Sequence, residues 1–282
     1  MKIGVSSYSF QQYIKNGKMT IKDTVKKASE MGFDAIEFTE LPSDDMSQEE
    51  LAAYLVTEAQ KYNIEISAYL IGAQLFKESD KEIKDEIIRI KKQIDVANIL
   101  GVKLFRYDIL YSLPRFVTYK MALKKVVPYM RELADYAAKY GITTMSENHG
   151  YIFQDADRMI EVMTEVDHDN YKLLVDIGNF MCADEVPCVS VGKVASLAAH
   201  VHVKDFEKYS FEEGKTKERA FKTRGRNFLL GTTPGKGEVN VTQCIEILKD
   251  AGFDGYLDLE YEGPRDCIEA LTEGLETLRE II

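Results

Sequence analysis

The sequence predicts one α/β domain, a closed (β/α)8 (TIM) barrel that takes up all of residues 1–282. Three observations predict it. Short β-type runs alternate with longer helical segments along the whole chain, which argues for a parallel sheet with crossover helices. About eight such runs fit into a chain of this length, the usual size of such a barrel. Glycine-containing joints recur between a helix end and the next strand, as repeated βα units would leave them.

The β-type runs are, in order, "IGVSSYSF", "AIEFT", "IEISAYLI", "VKLFRYDI", "ITTMSEN", "KLLVDIGN", "AAHVHVKD" and "YLDLEYEG". Helical segments lie between them at 20–31, 47–62, 79–100, 117–140, 155–165 and 240–251. Segment 82–99 shows the helical period well: Ile83, Ile87, Ile90, Ile94 and Ala97 fall on one face. "EMGFDAIEFTE" at 30–40 resembles "DAGFDGYLDLEYEG" at 250–263, and "LGVKLF" and "YGITTM" repeat the same joint with Gly101 and Gly141. A doubly wound open sheet is the alternative. No G-x-G-x-x-G follows the first strand, which weakens its dinucleotide-binding version. The one long irregular segment, 206–239, reads as a loop insertion after strand seven: a lid, an oligomer contact or a solvated loop. Its "PGKG" lacks the spacing of a phosphate-binding P-loop.

Composition bounds the function. With 45% hydrophobic and 29% charged residues, the chain can bury a full core. A net charge of -11 argues against a nucleic-acid partner, since backbone binding needs basic patches. No apolar run approaches the roughly 20 residues of a membrane span, so no membrane partner is expected. The opening "MKIGVSSYSF" turns polar at once and lacks the layout of a signal peptide. The cysteines Cys182, Cys188, Cys244 and Cys267 form no Cys-x-x-Cys pair and no disulfide framework. These features together predict a soluble, reduced, cytoplasmic protein.

The chemistry sits at the strand ends. In a parallel barrel the strand interiors are apolar and the C-terminal ends carry the functional groups. Strand five ends in Glu147 from "SENHG", and strand six in Asp176 from "LLVDIGN". Strand seven carries His200, His202 and Lys204 in one column of "HVHVKD", and strand eight ends in Glu260 from "LDLEYEG". Placed on neighbouring strands, Glu147, Asp176, His202 and Glu260 converge near the barrel axis. Three carboxylates at close range repel one another unless a cation sits among them. An oxygen-rich set with one imidazole suits Mn2+ first, then Mg2+, with Co2+ and Zn2+ as alternatives.

Other residues face two readings each. His149 either bonds substrate or caps the following helix. His200, two residues deeper than His202, reads as a satisfied interior histidine. Lys204 aims at the mouth, toward a substrate oxygen or phosphate, or is a rim charge. Arg106 grips a carboxylate or pairs with Asp108, and Glu37 ends strand two with similar ambiguity. Tyr8 and Phe10 form a wall for a sugar ring or belong to the core.

"SENHG", "DIGN", "HVHVKD" and "LEYEG" resemble motifs of the xylose-isomerase-like sugar isomerase/epimerase superfamily, over essentially the whole chain. That superfamily includes ketose 3-epimerases, inosose dehydratases and isomerases, hydroxypyruvate isomerases and apurinic endonucleases. The resemblance implies that Glu147, Asp176, His202 and Glu260 are metal ligands. It also implies that Glu147 and Glu260 double as the acid/base pair of the epimerase branch. Asn179 stands where ketose epimerases of the superfamily carry a substrate-contacting histidine, a departure that puts their substrate in doubt for this chain. "GKGEVN" resembles the family's turn before its seventh crossover helix. The endonuclease branch needs several extra histidines, whereas this chain has only His149, His168, His200 and His202.

The expected function is a divalent-metal-dependent isomerase or epimerase on a small sugar or sugar derivative, working by proton transfer through an enediolate. The alternative is a metal-dependent lyase or dehydratase on an oxidised sugar, such as a 3-oxo-glycoside or an inosose. A non-catalytic barrel that binds a sugar or a protein is a third reading, against which the intact ligand quartet weighs. A homo-oligomer is compatible with the sequence.

Overall fold

The computed structural model describes residues 1–43 and 45–282. Eight parallel strands close into the expected barrel: β1 (Lys2–Ser6), β2 (Ala35–Thr39), β3 (Glu65–Ile71), β4 (Leu104–Tyr107), β5 (Thr143–Glu147), β6 (Tyr171–Asp176), β7 (Ala198–Val203) and, after three strands of a separate sheet, β11 (Tyr256–Leu259). Each is followed by a helix on the outside, such as Ile21–Met31, Gln48–Lys61, Asp80–Leu100 and Tyr119–Ala138. β11 pairs with both β7 and β1, which closes the ring.

Local chemistry explains the boundaries. Ser47 with Glu50 and Ser79 with Glu82 form reciprocal capping boxes, which satisfy N–H groups that a helix start leaves unpaired. Helix Asp80–Leu100 ends at Gly101, whose φ of 74° is left-handed and favours a residue without Cβ. Ile83, Ile87, Ile90, Ile94 and Ala97 are all buried, so the helix packs the face that its sequence period selects. Burying a side chain of this size stabilises the fold by roughly 1.5–3 kcal/mol.

Two stretches depart from the sequence expectation. The first β-type run stops at Ser6, and Ser7–Phe10 forms a 3-10 turn. Its serines satisfy the backbone themselves: Ser6 Oγ accepts from Tyr8 N, Ser9 Oγ donates to the Leu259 carbonyl and also accepts from Tyr261 N. Such hydroxyls offer the chain an alternative to the strand ladder. The second is 206–239, which the sequence presents as irregular. It holds an antiparallel sheet of β8 (Asp205–Tyr209), β9 (Phe221–Lys222) and β10 (Phe228–Thr232), in the order β8-β10-β9, plus the short helix Phe211–Gly214. The strands are too short and too charged to announce themselves. What fixes them is a small apolar seam, with Phe206 against Phe221 at 5.5 Å between ring centres and Leu229 buried.

This sheet is tied to the barrel. Asp184 accepts from Thr223 Oγ1 (2.8 Å) and Asn227 Nδ2 (3.0 Å), and Arg224 donates to Asp155 (2.8 Å) and to the Tyr151 carbonyl (2.7 Å). The "PGKG" turn wraps a carboxylate rather than a phosphate. Asp205 accepts backbone N–H bonds from Phe206, Gly235, Gly237 and Val239. Among the described residues, no helix is long and apolar enough to cross a membrane.

Candidate metal centre

The barrel interior is layered. An apolar layer of Ala68, Leu70, Met145 and Leu174 fills part of it. Polar residues occupy the rest, and strand register explains their convergence. His202 lies level with Asp176 on β6 and with Asp258 on β11. Glu147 is the last residue of β5, and Glu260 follows the end of β11.

The four expected ligands meet. One ligand atom from each of Glu147, Asp176, His202 and Glu260 lies within 4.8 Å of every other. His202 Nδ1 faces Glu260 at 3.5 Å, Glu147 at 3.6 Å and Asp176 at 3.9 Å. Among the described residues it makes no hydrogen bond, and neither does the buried Asp176 Oδ2. Buried polar atoms are nearly always paired, so two orphans aimed at one point mark a missing partner. Three carboxylates and one imidazole match the donor set of a hard or borderline divalent cation. Lys204 already places one positive charge among them, 2.6 Å from Glu260 and 3.2 Å from Asp176, though off the axis of a hydrogen bond to the latter.

The electrostatics follow from burial and charge. Burial raises the Asp176 carboxyl to about 6, with Glu147 and Glu260 adding to the shift against the charge of Lys204. Burial also pushes Glu260 upward, but Lys204 and His202 override it and hold it at about 2. Glu147 is likewise held well below the usual carboxylate range, because Arg106 and His202 outweigh its burial.

Each member of the quartet has a positioning partner. Asp176 Oδ1 accepts from the backbone N–H of Gly178 (2.8 Å) and Asn179 (3.0 Å). A Cβ on Gly178 would lie 2.7 Å from the Lys204 carbonyl, so this turn passes β7 only with glycine. The Asn148 side chain clamps the Asp176 backbone through two bonds of 2.9 Å. Glu147 is held on both oxygens: Arg106 bonds Oε2, and Asn179 Nδ2 donates to Oε1 at 2.9 Å. Arg106 also bonds the Ile71 carbonyl and Asp108.

Beneath the quartet lies a second buried layer. Glu37 Oε1 sits 2.8 Å from His202 Nε2, close but bent away from a full hydrogen bond. Glu37 Oε2 bonds His200 Nε2 at 3.0 Å, His200 lies 3.1 Å from Asp258, and Ser67 Oγ donates to Asp258 at 2.6 Å. Gly4 makes room for Asp258, whose Oδ1 would be 1.9 Å from any Cβ there. A carboxylate on the far nitrogen of a metal-binding histidine fixes the ring so that the other nitrogen faces the ion. Replacing Glu37 with Gln is therefore expected to weaken divalent-metal affinity by roughly 10–100-fold. Competition against a metallochromic chelator measures this, and unchanged affinity would show that His202 is oriented without Glu37.

The cavity above the quartet has a volume of about 380 Å3. Its walls include Tyr8, Arg106, His149 and Lys204 together with Glu147 and Glu260. Of the other residues that the sequence suggested for substrate, Asn179 is buried behind Glu147. His149 Nδ1 pairs with Asp108 at 2.8 Å while its ring remains 39% exposed, and Tyr111 bonds the same aspartate. Burial would lower the His149 pKa, but the bond to Asp108 wins and raises it. A larger hollow of about 910 Å3 opens at the opposite barrel end, around Lys2, Glu65 and Tyr256. That face of such barrels serves stability.

Sequence reasoning gave no role to Asn148, Asp258, Ser67, Tyr111 or Glu262. Asp258 had a usable signal, since it lies two residues before Glu260 on the same strand face. Asn148 had none, because its amide acts on backbone groups.

Comparison with known proteins agrees with this architecture. Residues 25–281 match the family model for the xylose isomerase-like TIM barrel. An inosose dehydratase of Mesomycoplasma hyopneumoniae strain J is 22% identical over 284 aligned positions, covering 94% of this chain and 90% of that protein. Among solved structures, the IOLI protein with a bound zinc atom superposes with a TM-score of 0.78 at 20% identity, covering 100% of this chain and 98% of that one. D-Psicose 3-epimerase from Clostridium cellulolyticum H10, solved with D-tagatose, gives a TM-score of 0.78 at 18% identity over 100% and 99% of the two chains. With nearly its whole length matched, the chain belongs to the xylose isomerase-like TIM barrel family.

Proposed function

We propose that the protein is a divalent-metal-dependent isomerase or epimerase that moves a proton at carbon next to the carbonyl of a small sugar or sugar derivative. The observation that carries this reading is the convergence of Glu147, Asp176, Glu260 and His202 Nδ1 within 4.8 Å at the barrel mouth. Manganese is the expected ion. When bound there, it supplies a Lewis acid that polarises substrate oxygens and offsets enediolate charge. The protein's own groups do the rest. Glu260, just past the end of β11, stands with Oε2 2.6 Å from Lys204 and 3.5 Å from His202 Nδ1, and takes the proton. Glu147, held by Arg106 and Asn179, flanks the cavity from β5 as the second carboxylate and returns to the enediolate a proton that it first takes from water. Lys204, Arg106, His149 and Tyr8 orient the substrate from the cavity wall. The protein acts in the cytoplasm on a small molecule.

A second reading is a lyase that removes water from an oxidised sugar or cyclic polyol ketone. The similarity to an inosose dehydratase over 94% of the chain favours it. So does His149, which faces the cavity as a group able to give a proton to a departing hydroxyl. Both reactions begin with the same proton removal. Incubating the metal-loaded enzyme with ketoses and inososes in D2O, followed by NMR, separates them. Deuterium in the starting or isomeric sugar supports the first reading, and an unsaturated product supports the second. No exchange with any of them would leave a binding protein.

A further inference from the structure

The cavity over the quartet does not end at the sugar-sized space. A second cavity of about 310 Å3 adjoins it, and Tyr8 and Glu262 stand in the walls of both. The two cavities thus lie side by side, acidic at the metal end and different in character at the other. The outer part is lined by Gln11, Lys15 and Asn16 from the first helical turns, and by Arg219 from the turn before β9 in the segment inserted between β7 and β11. Lys15 and Arg219 are exposed and enter no ion pair among the described residues, so both charges are available to a ligand. Glu262, the acid on the shared wall, turns its charge inward toward Lys204 at 3.8 Å. Tyr8, between the two spaces, offers a ring face.

Arg219 is also one of eight non-glycine residues with positive φ among those described. Its φ is +65°, in the left-handed region that side-chain-bearing residues seldom adopt. Such conformations persist where surrounding structure imposes them, and they cluster at ligand clamps. The surroundings here are the β8-β10-β9 sheet, fixed to the barrel through Asp184 and Arg224. Arg219 itself lies in the exposed turn that leads from the helix Phe211–Gly214 into β9.

We propose that this outer pocket is an anion subsite: the substrate carries a carboxylate or phosphate that binds between Lys15 and Arg219 while its carbonyl end lies over the quartet. This rests on the quartet being the reaction centre, and it narrows the substrate to an acidic sugar or polyol derivative. A sugar in the inner cavity reaches the outer one past Tyr8. A charged tail there gains charge-assisted hydrogen bonds that a neutral sugar lacks.

The test compares binding of D-glucose, D-glucuronate and D-glucose 6-phosphate to the manganese-loaded protein at low ionic strength. Calorimetry or ligand-observed NMR gives the affinities, and metal content is measured on the same samples. At least one anionic sugar is expected to bind about tenfold or more tightly than glucose. Glucuronate in that place identifies a carboxylate site, and the phosphate ester a phosphate site. The double variant Lys15→Ala/Arg219→Ala is expected to lose the preference while keeping its metal and its affinity for glucose. Both side chains are exposed, so the fold is not at stake. Anions that bind no more tightly than glucose, or not at all, overturn the proposal, as does a preference that survives in the double variant. Failure of the reaction-centre reading looks different: metal would be absent from the quartet while the anion preference remained.

Discussion

Glu147→Gln and Glu260→Gln are each expected to lower turnover by a factor of roughly 10² to 10⁴ at saturating metal, the usual consequence of removing a general base. Glutamine keeps the shape and one ligating oxygen but cannot accept the proton. The two variants should not be equal. Both oxygens of Glu147 are already committed, to Arg106 and to Asn179, so its loss also releases Arg106 into the cavity. Glu260 has Lys204 at 2.6 Å as its close partner, so its loss disturbs Lys204 and leaves Arg106 in place. Asp176→Asn provides the contrast. Asp176 is fully buried with one oxygen tied to the turn at Gly178 and Asn179, so its proposed part is to hold the metal and not to move the proton. Its activity should recover in part with excess metal. Rates measured with bound metal quantified decide the matter. Near wild-type turnover of both Glu variants at full metal occupancy would make the glutamates ligands only.

The largest stability effect is expected at His200. This ring is fully buried between two carboxylates, Glu37 at 3.0 Å and Asp258 at 3.1 Å, both without solvent contact. Removing the cation from such a group leaves buried charges uncompensated, and His200→Ala should cost about 3–5 kcal/mol in the metal-free protein. The pH dependence gives a sharper signature. Burial works against the charged ring, but Asp258 and Glu37 prevail and raise its pKa to about 9. A histidine whose folded pKa is raised stabilises fully below its unfolded value, near 6.5, and loses that contribution as pH rises through 9. The deficit of His200→Ala relative to wild type should therefore be largest at pH 6 and smaller at pH 9.5, where only the lost packing remains. Urea unfolding at the two pH values measures it. An equal deficit at both would mean that His200 is neutral and acts by packing alone.

The barrel was legible because its signals are periodic. The isoleucine stripe of 83–94 and the alternation of short runs with long ones survive translation into buried faces and parallel strands. The quartet was legible because Glu147, Asp176, His202 and Glu260 each stand near the end of an otherwise apolar run, where barrel geometry gathers them. The 3-10 turn at Ser7–Phe10 was hidden, since its cause is side-chain hydroxyls bonding across to the end of β11. The sheet within 206–239 was hidden because its strands are two to five residues long. The layer under the metal site was hidden for another reason. Glu37, His200, Asp258 and Ser67 come from four strands, and only the closure of the ring makes neighbours of them.

The measurement that bears most directly on the quartet is anomalous diffraction from crystals grown with manganese. One peak per chain is predicted, within about 2.0–2.5 Å of oxygens from Glu147, Asp176 and Glu260 and of His202 Nδ1. A peak at Glu37 and His200 instead, or no peak at millimolar manganese, would contradict the account.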